Sequence, residues 1–278
     1  MRISVIQMSP TSDKDQNIAE ASRLIRAAAE ADRPDLVVLP EMWSCLGGTQ
    51  AIKFQAAEDL PDPRTGSPGG PAYRAMQALA RETGSTLHAG SIGERSGERI
   101  SNTSLVFGPD GRELARYRKI HLFDVVTPSG EGYRESDTYR PGDAVITVQV
   151  GSVRAGLAIC YDLRFGELFL RLRREGAELI ILPAAFTAET GAAHWKTLLR
   201  ARAIETQCWL AASATCGRHL DATGAPRMTY GHSMLIDPWG TVVAQAADGP
   251  GWATGTLVAA RTASVRAGIP VLDHRRLA

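Results

Sequence analysis

The sequence predicts an α/β fold, a four-layer α-β-β-α sandwich built by one domain with two related halves. Short β-branched runs alternate with amphipathic helical stretches along the 278 residues. Two phrases also recur in order, because DLVVLPE (35–41) and SLVFGPDG (104–111) are echoed by ELIILPA (178–184) and SMLIDPWG (233–240). If each half has its own sheet, the sheets can pack together with helices outside. A single doubly wound sheet is the alternative.

The first half alternates strand and helix. RISVIQM (2–8) is rich in β-branched residues, and residues 17–31 form an alanine-rich helical stretch. The continuous apolar run DLVVLP (35–40) is typical of a strand that is covered on both faces. Pro71 suits the first turn of a helix. The remaining elements of this half are the helix AYRAMQALARETG, the strand STLHAGSIG and the hairpin SLVFGPDGRELARYRK.

Residues 120–141 have no hydrophobic period and are long for a plain connection, which is typical of a functional loop.

The second half then repeats the alternation of strand and helix. VITVQVGSVRAGLAIC predicts a hairpin, residues 164–175 a helix, and AELIILPAAF a strand. HWKTLLRARAIETQ predicts a helix with one apolar side, formed by Trp195, Leu198, Leu199 and Ala203. CWLAASATCG, GHSMLIDPWGTVVAQA and WATGTLV predict further strands.

The composition is that of an ordinary globular protein, with 44% apolar and 22% charged residues. The formal net charge of +1 gives no reason to expect a nucleic acid or an anionic membrane as partner. The chain has four cysteines and no C-x-x-C pair, so neither a disulfide framework nor a zinc site is expected. They are Cys45, Cys160, Cys208 and Cys216. The start MRISVIQMSP is short for a signal peptide, and we expect a cytoplasmic location.

Three reactive side chains follow predicted strands: Glu41 after DLVVLP, Lys119 after ARYR and Cys160 in GLAIC. Side chains at strand ends can converge at one rim of a sheet. A thiol with a pKa of about 8.5 needs a base or a nearby cation to attack at neutral pH, and a carboxylate and a lysine supply both. Taken alone, each has a plainer interpretation, as an exposed loop acid, a solvated lysine and core packing respectively.

The phrases LPE, YRKIHLFD and AICYDLRF resemble, in order, the three motifs of the carbon–nitrogen hydrolase (nitrilase) superfamily. GHSMLIDPWG is similar to a further family phrase, and the resemblance covers nearly the whole chain. It implies a catalytic triad, with Glu41 as general base, Lys119 as catalytic lysine and Cys160 as nucleophile. It also implies that Glu135 hydrogen-bonds the lysine, and that the backbone N–H of Tyr161 joins Lys119 in an oxyanion hole.

The family fold is an α-β-β-α sandwich whose members associate through helices. The resemblance therefore implies a single domain, with a sandwich over about 1–262 and a tail, 263–278, at a subunit interface. We expect a homodimer or a higher homo-oligomer that acts on a small amide, without a metal or a cofactor.

The phrases RARAIETQC and TCGRH resemble the branch of omega-amidases and deaminated glutathione amidases, and favour the second. Such an enzyme hydrolyses the amide of a 2-oxo acid through an acyl-thioester, giving 2-oxoglutarate and cysteinylglycine, and so repairs a transaminase side product. The alternatives are an omega-amidase acting on 2-oxoglutaramate, an N-carbamoyl amino acid hydrolase, and a catalytically silent binding module. An intact Glu, Lys and Cys set argues against the last. Ala192 departs from the proline usual in this branch.

A 2-oxo acid carries a carboxylate, so its pocket needs a cation. Arg164, four residues after the nucleophile, is the candidate because its fork can bind a carboxylate bidentately. The plainer alternative is an arginine at a helix start that pairs with Glu167 or with solvent. Phe186 and Thr187 match the family segment that lines the acyl pocket. Three histidines are expected to form structural hydrogen bonds rather than to catalyse: His121, His194 and His232.

Overall fold

Two six-stranded β-sheets pack against each other in the computed structural model of the chain. It describes residues 1–62, 66–128, 130–220 and 223–276. The strands are β1 (Arg2–Gln7), β2 (Leu36–Val38), β3 (Thr86–Ser96), β4 (Arg99–Phe107), β5 (Glu113–Arg118), β6 (Asp124–Val126), β7 (Gly132–Arg134), β8 (Thr147–Val150), β9 (Val153–Leu157), β10 (Leu179–Ala184), β11 (Trp209–Ala214), β12 (Cys216–Leu220), β13 (Pro226–Tyr230), β14 (Met234–Ile236), β15 (Val242–Gln245) and β16 (Gly251–Thr256).

The two sheets share one topology, with strand orders β16-β1-β2-β3-β4-β5 and β8-β9-β10-β11-β14-β15. In each, three central strands run parallel, one antiparallel strand borders them on one side, and two antiparallel strands border them on the other. The echoed phrases fall on equivalent strands, at β2 and β10 and at the hairpins β4–β5 and β14–β15. The two related halves are confirmed, and the alternative of a single doubly wound sheet is wrong.

Helices cover the outer face of each sheet and complete the four layers. α1 and α3 pack on the first sheet, and α4 and α6 pack on the second. The helices are α1 (Lys14–Asp32), α2 (Gln50–Ala56), α3 (Pro71–Thr83), α4 (Gly166–Arg174), α5 (Ala188–Thr190), α6 (Lys196–Thr206) and α7 (Ala259–Gly268). No helix in the described part of the chain is both long and apolar enough to cross a bilayer.

The central parallel strands are apolar at successive positions because both of their faces are buried. On β2, Leu36 and Val38 belong to the core between the sheets, whereas Val37 belongs to the core under α1 and α3. Polar groups also join the sheets. Ser233 N donates to Gln7 Oε1 across the interface at 2.9 Å. Successive side chains of a strand point to opposite faces, and both faces of β2 are buried. A run such as DLVVLP therefore carries no amphipathic signal.

Several local elements differ from the sequence-based expectation. The helix predicted from residue 17 starts at Lys14, because Asp13 caps it by accepting from Gln16 N at 3.0 Å. The aperiodic segment 120–141 contains the small sheet β6–β7. The helix α2 and the separate sheet β12–β13 were not predicted. The division into a sandwich and a tail near residue 262 stays a prediction, and α7 runs across it.

Candidate active site

One cavity of about 720 Å³ lies where strands of both sheets end. Its rim is formed by the hairpins β6–β7 and β12–β13 and by the segment that leads into α2. All eight residues that were predicted for the site line this cavity: Glu41, Lys119, Glu135, Cys160, Tyr161, Arg164, Phe186 and Thr187. The side chains that follow different strands thus lie in one cavity, and their roles stay predictions.

Glu41 follows β2 and is 4% exposed. Its Oε1 accepts hydrogen bonds from Asn102 Nδ2 at 2.8 Å and from Lys119 Nζ at 3.0 Å. The neighbouring strand β3 passes close to this segment, since a Cβ at Gly90 would collide with Pro40 O. Gly90 has φ +51°, a conformation that favours glycine. The close approach of these two backbones thus fixes where the Glu41 carboxylate lies.

Lys119 comes directly after β5 and is 2% exposed. Its Nζ donates to Glu135 Oε2 at 2.8 Å as well as to Glu41. Burial on its own lowers the pKa of Lys119, but the negative charges of Glu135 and Glu41 outweigh it. The resulting pKa lies well above that of an ordinary lysine. The ammonium therefore stays protonated at neutral pH, held between two carboxylates.

Glu135 opens a single 3₁₀ turn, Glu135–Asp137, directly after β7. Its Oε2 also accepts a hydrogen bond from Phe123 N at 2.6 Å. Because β7 leads into this residue, the hairpin β6–β7 sets the position of the second carboxylate beside Lys119. The small sheet β6–β7, which was not predicted, thus helps to position a carboxylate in the cavity.

Cys160 opens a 3₁₀ helix, Cys160–Arg164, just beyond β9. Its φ of +48° is rare for a residue with a side chain, and Met42, next to Glu41, has the same φ of +48°. Strained backbone of this kind is frequent at functional sites. Burial raises the pKa of the Cys160 thiol, and the charge of Glu41, which hydrogen-bonds the thiol, raises it further. Lys119 acts in the opposite direction, yet the thiol remains protonated at neutral pH.

Asp162, which the sequence analysis missed, anchors the turn that carries Cys160. It is completely buried, and its Oδ2 accepts from Tyr117 Oη at 2.7 Å and from Ile159 N at 2.8 Å. Its Oδ1 accepts from His121 N at 3.1 Å and from His121 Nδ1 at 2.7 Å. The turn that carries Cys160 is therefore tied to β5 and to the residues after Lys119. A carboxylate in AICYD, within an apolar context, was the available signal.

Arg164 lies between two rings, with its guanidinium carbon 5.9 Å from the Tyr161 ring centroid and 5.3 Å from that of Phe186. Its Nη1 is 3.3 Å from His194 Nδ1. No ion pair links it to Glu167 in the described part of the chain, which was the plainer alternative. The side chain is thus available to a ligand in the cavity.

The segment after β10 forms the opposite wall. Thr187 Oγ1 accepts from Thr190 N at 3.2 Å and starts α5, and Phe186 O accepts from Tyr230 N of β13 at 3.0 Å. Ala192 lies in the π-helical turn Gly191–Trp195 that leads into α6. The hairpin β12–β13 is held in turn by His219, which contacts Pro10 O at 2.8 Å.

Comparison with known proteins agrees with this geometry. The carbon-nitrogen hydrolase family model matches residues 2–268. The deaminated glutathione amidase of Homo sapiens is 39% identical over 280 residues, which cover 99% of this chain and 82% of that protein. The deaminated glutathione amidase of Synechocystis sp. (strain PCC 6803) is 38% identical over 98% of this chain and 97% of its own length. The solved structure of the C. elegans NitFhit protein has a TM-score of 0.88 at 36% identity. The match covers 99% of this chain and 65% of that chain. The chain is a member of the carbon-nitrogen hydrolase family.

Proposed function

We propose that the protein hydrolyses the amide bond of deaminated glutathione to 2-oxoglutarate and cysteinylglycine. The relatives that bear this activity in their names align with nearly the whole chain. The observation that carries the chemistry is the buried contact of Lys119 with Glu41 and Glu135 in the cavity that also contains Cys160. A volume of about 720 Å³ suits a small-molecule substrate.

In the first half of the proposed reaction, Cys160 Sγ attacks the amide carbon while Glu41 takes the thiol proton. This coupling is needed because the thiol is protonated at neutral pH. Lys119 Nζ and the backbone N–H of Tyr161 stabilise the oxyanion. Glu41 then gives its proton to the leaving nitrogen, the C–N bond breaks, and cysteinylglycine departs. The acyl group remains bound to Cys160 as a thioester.

In the second half, water replaces the leaving amine. Glu41 takes a proton from this water, whose oxygen attacks the thioester carbon, and the C–S bond breaks. The sulfur recovers its proton from Glu41 and 2-oxoglutarate is released. Glu135 holds Lys119 in place through both steps, since it touches the ammonium with both of its oxygens, at 2.8 and 3.1 Å.

The carboxylate of the 2-oxo acid is assigned to Arg164. Its guanidinium packs on the ring of Tyr161, the residue after the nucleophile, and on Phe186. An acyl group bound to Cys160 would therefore have its carboxylate within reach of this cation. Phe186 and Thr187 would border the acyl chain on the other side.

We also propose that the protein forms a homodimer through α6, the β14–β15 turn and α7. Ile204, Trp239 and Val258 are about half exposed on these elements. They are neighbours, because a Cβ at Gly240 would touch Ile204 and the Arg261 guanidinium carbon is 5.9 Å from the Trp239 ring. The tail 263–278, whose last two residues lie outside the described part of the chain, would join this interface. The four buried free cysteines suit a reducing compartment, and we infer a cytoplasmic location.

A comparison of kcat/KM among substrates tests the proposal. Release of 2-oxoglutarate from deaminated glutathione and from 2-oxoglutaramate can be followed by NADH oxidation with glutamate dehydrogenase and ammonia. We expect deaminated glutathione to be preferred, and nitriles and N-carbamoyl amino acids to be far poorer. A tenfold preference for 2-oxoglutaramate, about 1.4 kcal/mol, would replace the proposal by the omega-amidase alternative. Absence of turnover on every substrate would favour the silent binding module.

A further inference from the structure

We infer that Tyr139 holds the water that hydrolyses the acyl-thioester, by accepting a hydrogen bond from it while Glu41 takes its proton. This inference rests on the proposed function and extends it to a further residue of the second half-reaction. It requires the thioester on Cys160, but it does not depend on which amide supplied the acyl group. Tyr139 was not among the residues selected from the sequence.

The charged groups of the site are largely occupied with one another. An ammonium has three donors. Lys119 gives one to Glu41 and one to Glu135, and the proposed oxyanion contact takes the third. Both oxygens of Glu135 accept from Lys119, and its Oε2 also accepts from Phe123 N. Glu41 can take one hydrogen of the water. A second contact, on the other hydrogen, is needed to keep the water oxygen on its line of attack.

The backbone of Tyr139 is fixed against the segments that carry both carboxylates. Its N–H donates to Glu135 O at 2.8 Å, in the turn that follows β7. Tyr139 also forms an isolated parallel bridge with Ile100, on β4. Ile100 and Asn102 lie on the same face of that strand, because they are two residues apart. Asn102 in turn donates to Glu41 at 2.8 Å. Tyr139 is therefore held in place relative to Glu41 as well as to Glu135.

The side chain of Tyr139 lies in the cavity wall near Glu41. It belongs to a small buried cluster with Ile100 and Met42, and Met42 is the residue after Glu41. Tyr139 is only 6% exposed, yet it lines the cavity. Burial raises the pKa of Tyr139 well above that of an ordinary tyrosine, and the negative charges of Glu135 and Glu41 act in the same direction. The hydroxyl therefore stays neutral and keeps its proton.

The hydroxyl of Tyr139 makes no hydrogen bond to a residue in the described part of the chain. Other tyrosine hydroxyls do so: those of Tyr73, Tyr117 and Tyr133 donate to carboxylates at 3.0, 2.7 and 2.8 Å. Tyr139 Oη is also not one of the fully enclosed polar atoms that lack a partner among the described residues. A buried tyrosine hydroxyl usually has a partner. Since Tyr139 lines the cavity, its hydroxyl is available to a molecule there.

In the inferred step, the water lies between Glu41, Tyr139 and the thioester carbon. Its oxygen forms the new C–O bond while one hydrogen passes to Glu41 and the other stays hydrogen-bonded to Tyr139 Oη. The C–S bond breaks, and Cys160 Sγ recovers its proton from Glu41. Tyr139 keeps its own proton throughout. The phenol thus orients the water and takes no part in the proton transfer.

The test measures how the thioester partitions between water and a second acceptor, 2-mercaptoethanol. The thiolate of this compound attacks with a sulfur atom that carries no hydrogen, so it needs no acceptor at Tyr139. Its product is the 2-oxoglutaryl thioester of 2-mercaptoethanol, which chromatography with mass detection separates from 2-oxoglutarate. The ratio of the two products depends neither on the amount of folded enzyme nor on the step that limits turnover. The variants are Tyr139→Phe and the control Tyr73→Phe, which loses a hydroxyl outside the cavity wall.

We expect Tyr139→Phe to raise the ratio of thioester product to 2-oxoglutarate about 3- to 10-fold, which is the effect of one hydrogen bond. Tyr73→Phe should give the ratio of the unaltered enzyme. A Tyr139 that only supports the wall would slow attack by both acceptors and leave the ratio unchanged. An unchanged ratio with Tyr139→Phe, or an equal rise with Tyr73→Phe, overturns the inference.

The same experiment separates this inference from the proposed function. Deaminated glutathione and 2-oxoglutaramate should give one ratio with each enzyme, because both form the same thioester. If the unaltered enzyme cleaves 2-oxoglutaramate alone, the proposed substrate is wrong, and the ratio measured with that amide still decides the role of Tyr139. If the two amides give different ratios with the same enzyme, no common thioester forms, and the proposed mechanism fails together with the inference.

Discussion

Lys119 Nζ lies 3.0 Å from Glu41 Oε1, and neither side chain is more than 5% exposed. The same ammonium is 2.8 Å from Glu135, so one buried cation faces two carboxylates. Coulombic attraction is strong where water is excluded. The arrangement keeps the lysine charged, and it brings the proposed base Glu41 and the proposed oxyanion donor Lys119 into the cavity that contains Cys160. Each of these roles leads to a different prediction.

Lys119→Met should lower kcat by about 10²–10³, because loss of one oxyanion donor costs that much in comparable sites. The change also leaves two buried carboxylates without their cation, so we expect a loss of stability of about 3–5 kcal/mol. The loss of kcat is measured at a temperature where the variant is folded. The loss of stability is measured by urea unfolding. Lys196→Met, on the exposed start of α6, is the control and should match the unaltered protein. A loss of less than tenfold would remove Lys119 from the catalytic step.

Glu41→Gln should make the Cys160 thiol more acidic and yet slow turnover. The charge of Glu41 raises the pKa of the thiol, after burial the largest cause, so its removal should lower that pKa. Turnover should nevertheless fall about 10²–10⁴-fold, because the general base is lost. Alkylation of Cys160 by iodoacetamide, measured against pH, should then have a lower midpoint than in the unaltered protein. Slower alkylation at every pH, with Glu98→Gln unchanged as the control, would contradict this role.

Asp162→Asn should weaken both the fold and catalysis. The carboxylate accepts four hydrogen bonds, and an amide offers one acceptor oxygen in place of two. Each buried donor left unpaired costs about 1–3 kcal/mol. Tyr117→Phe removes one of the four donors and should cost about 1 kcal/mol. Thermal unfolding and kcat should therefore rank the unaltered protein first, Tyr117→Phe second and Asp162→Asn last, and any other order would argue against the anchor.

Gly90→Ala should displace the segment that carries Glu41. A Cβ at Gly90 would collide with Pro40 O, and the residue also has a left-handed φ. Gly84→Ala is the matched control, since Gly84 has φ +66° and open space around its Cβ position. Both variants bear a conformational cost of about 1–2 kcal/mol, and the collision should add about 1–3 kcal/mol at Gly90 alone. Equal free energies of unfolding and full activity in both would refute the close approach.

The sequence was sufficient for the architecture and for the residues at strand ends. Both depend on patterns that are local or that recur: continuous apolar runs mark strands covered on both faces, and the repeated phrases mark the equivalent strands β2 and β10. The eight predicted site residues reached one cavity because strands end at a common rim. Arg164 was chosen because a substrate carboxylate needs a cation, and Phe186 was chosen by family resemblance. Both line the cavity, and their roles stay predictions.

Partners that are distant in the sequence could not be predicted. Asn102 supports Glu41 from 61 residues away, inside a strand in which four successive polar residues are buried. Asp162 anchors the turn that carries Cys160 through Tyr117, 45 residues earlier. The two rim hairpins were missed because short strands that pair only with each other lack a strong hydrophobic period. The left-handed φ of Met42 and Cys160 has no signal in residue type.

Intact-mass analysis of a rapidly quenched reaction can show whether Cys160 forms a covalent intermediate. With deaminated glutathione, we expect the protein to gain the mass of one 2-oxoglutaryl group, located on the peptide that contains Cys160 and removed by hydroxylamine. Cys160→Ala should give no adduct and no turnover while it keeps the unfolding transition of the unaltered protein. Appreciable turnover by Cys160→Ala, or an adduct on a different residue, would contradict the mechanism.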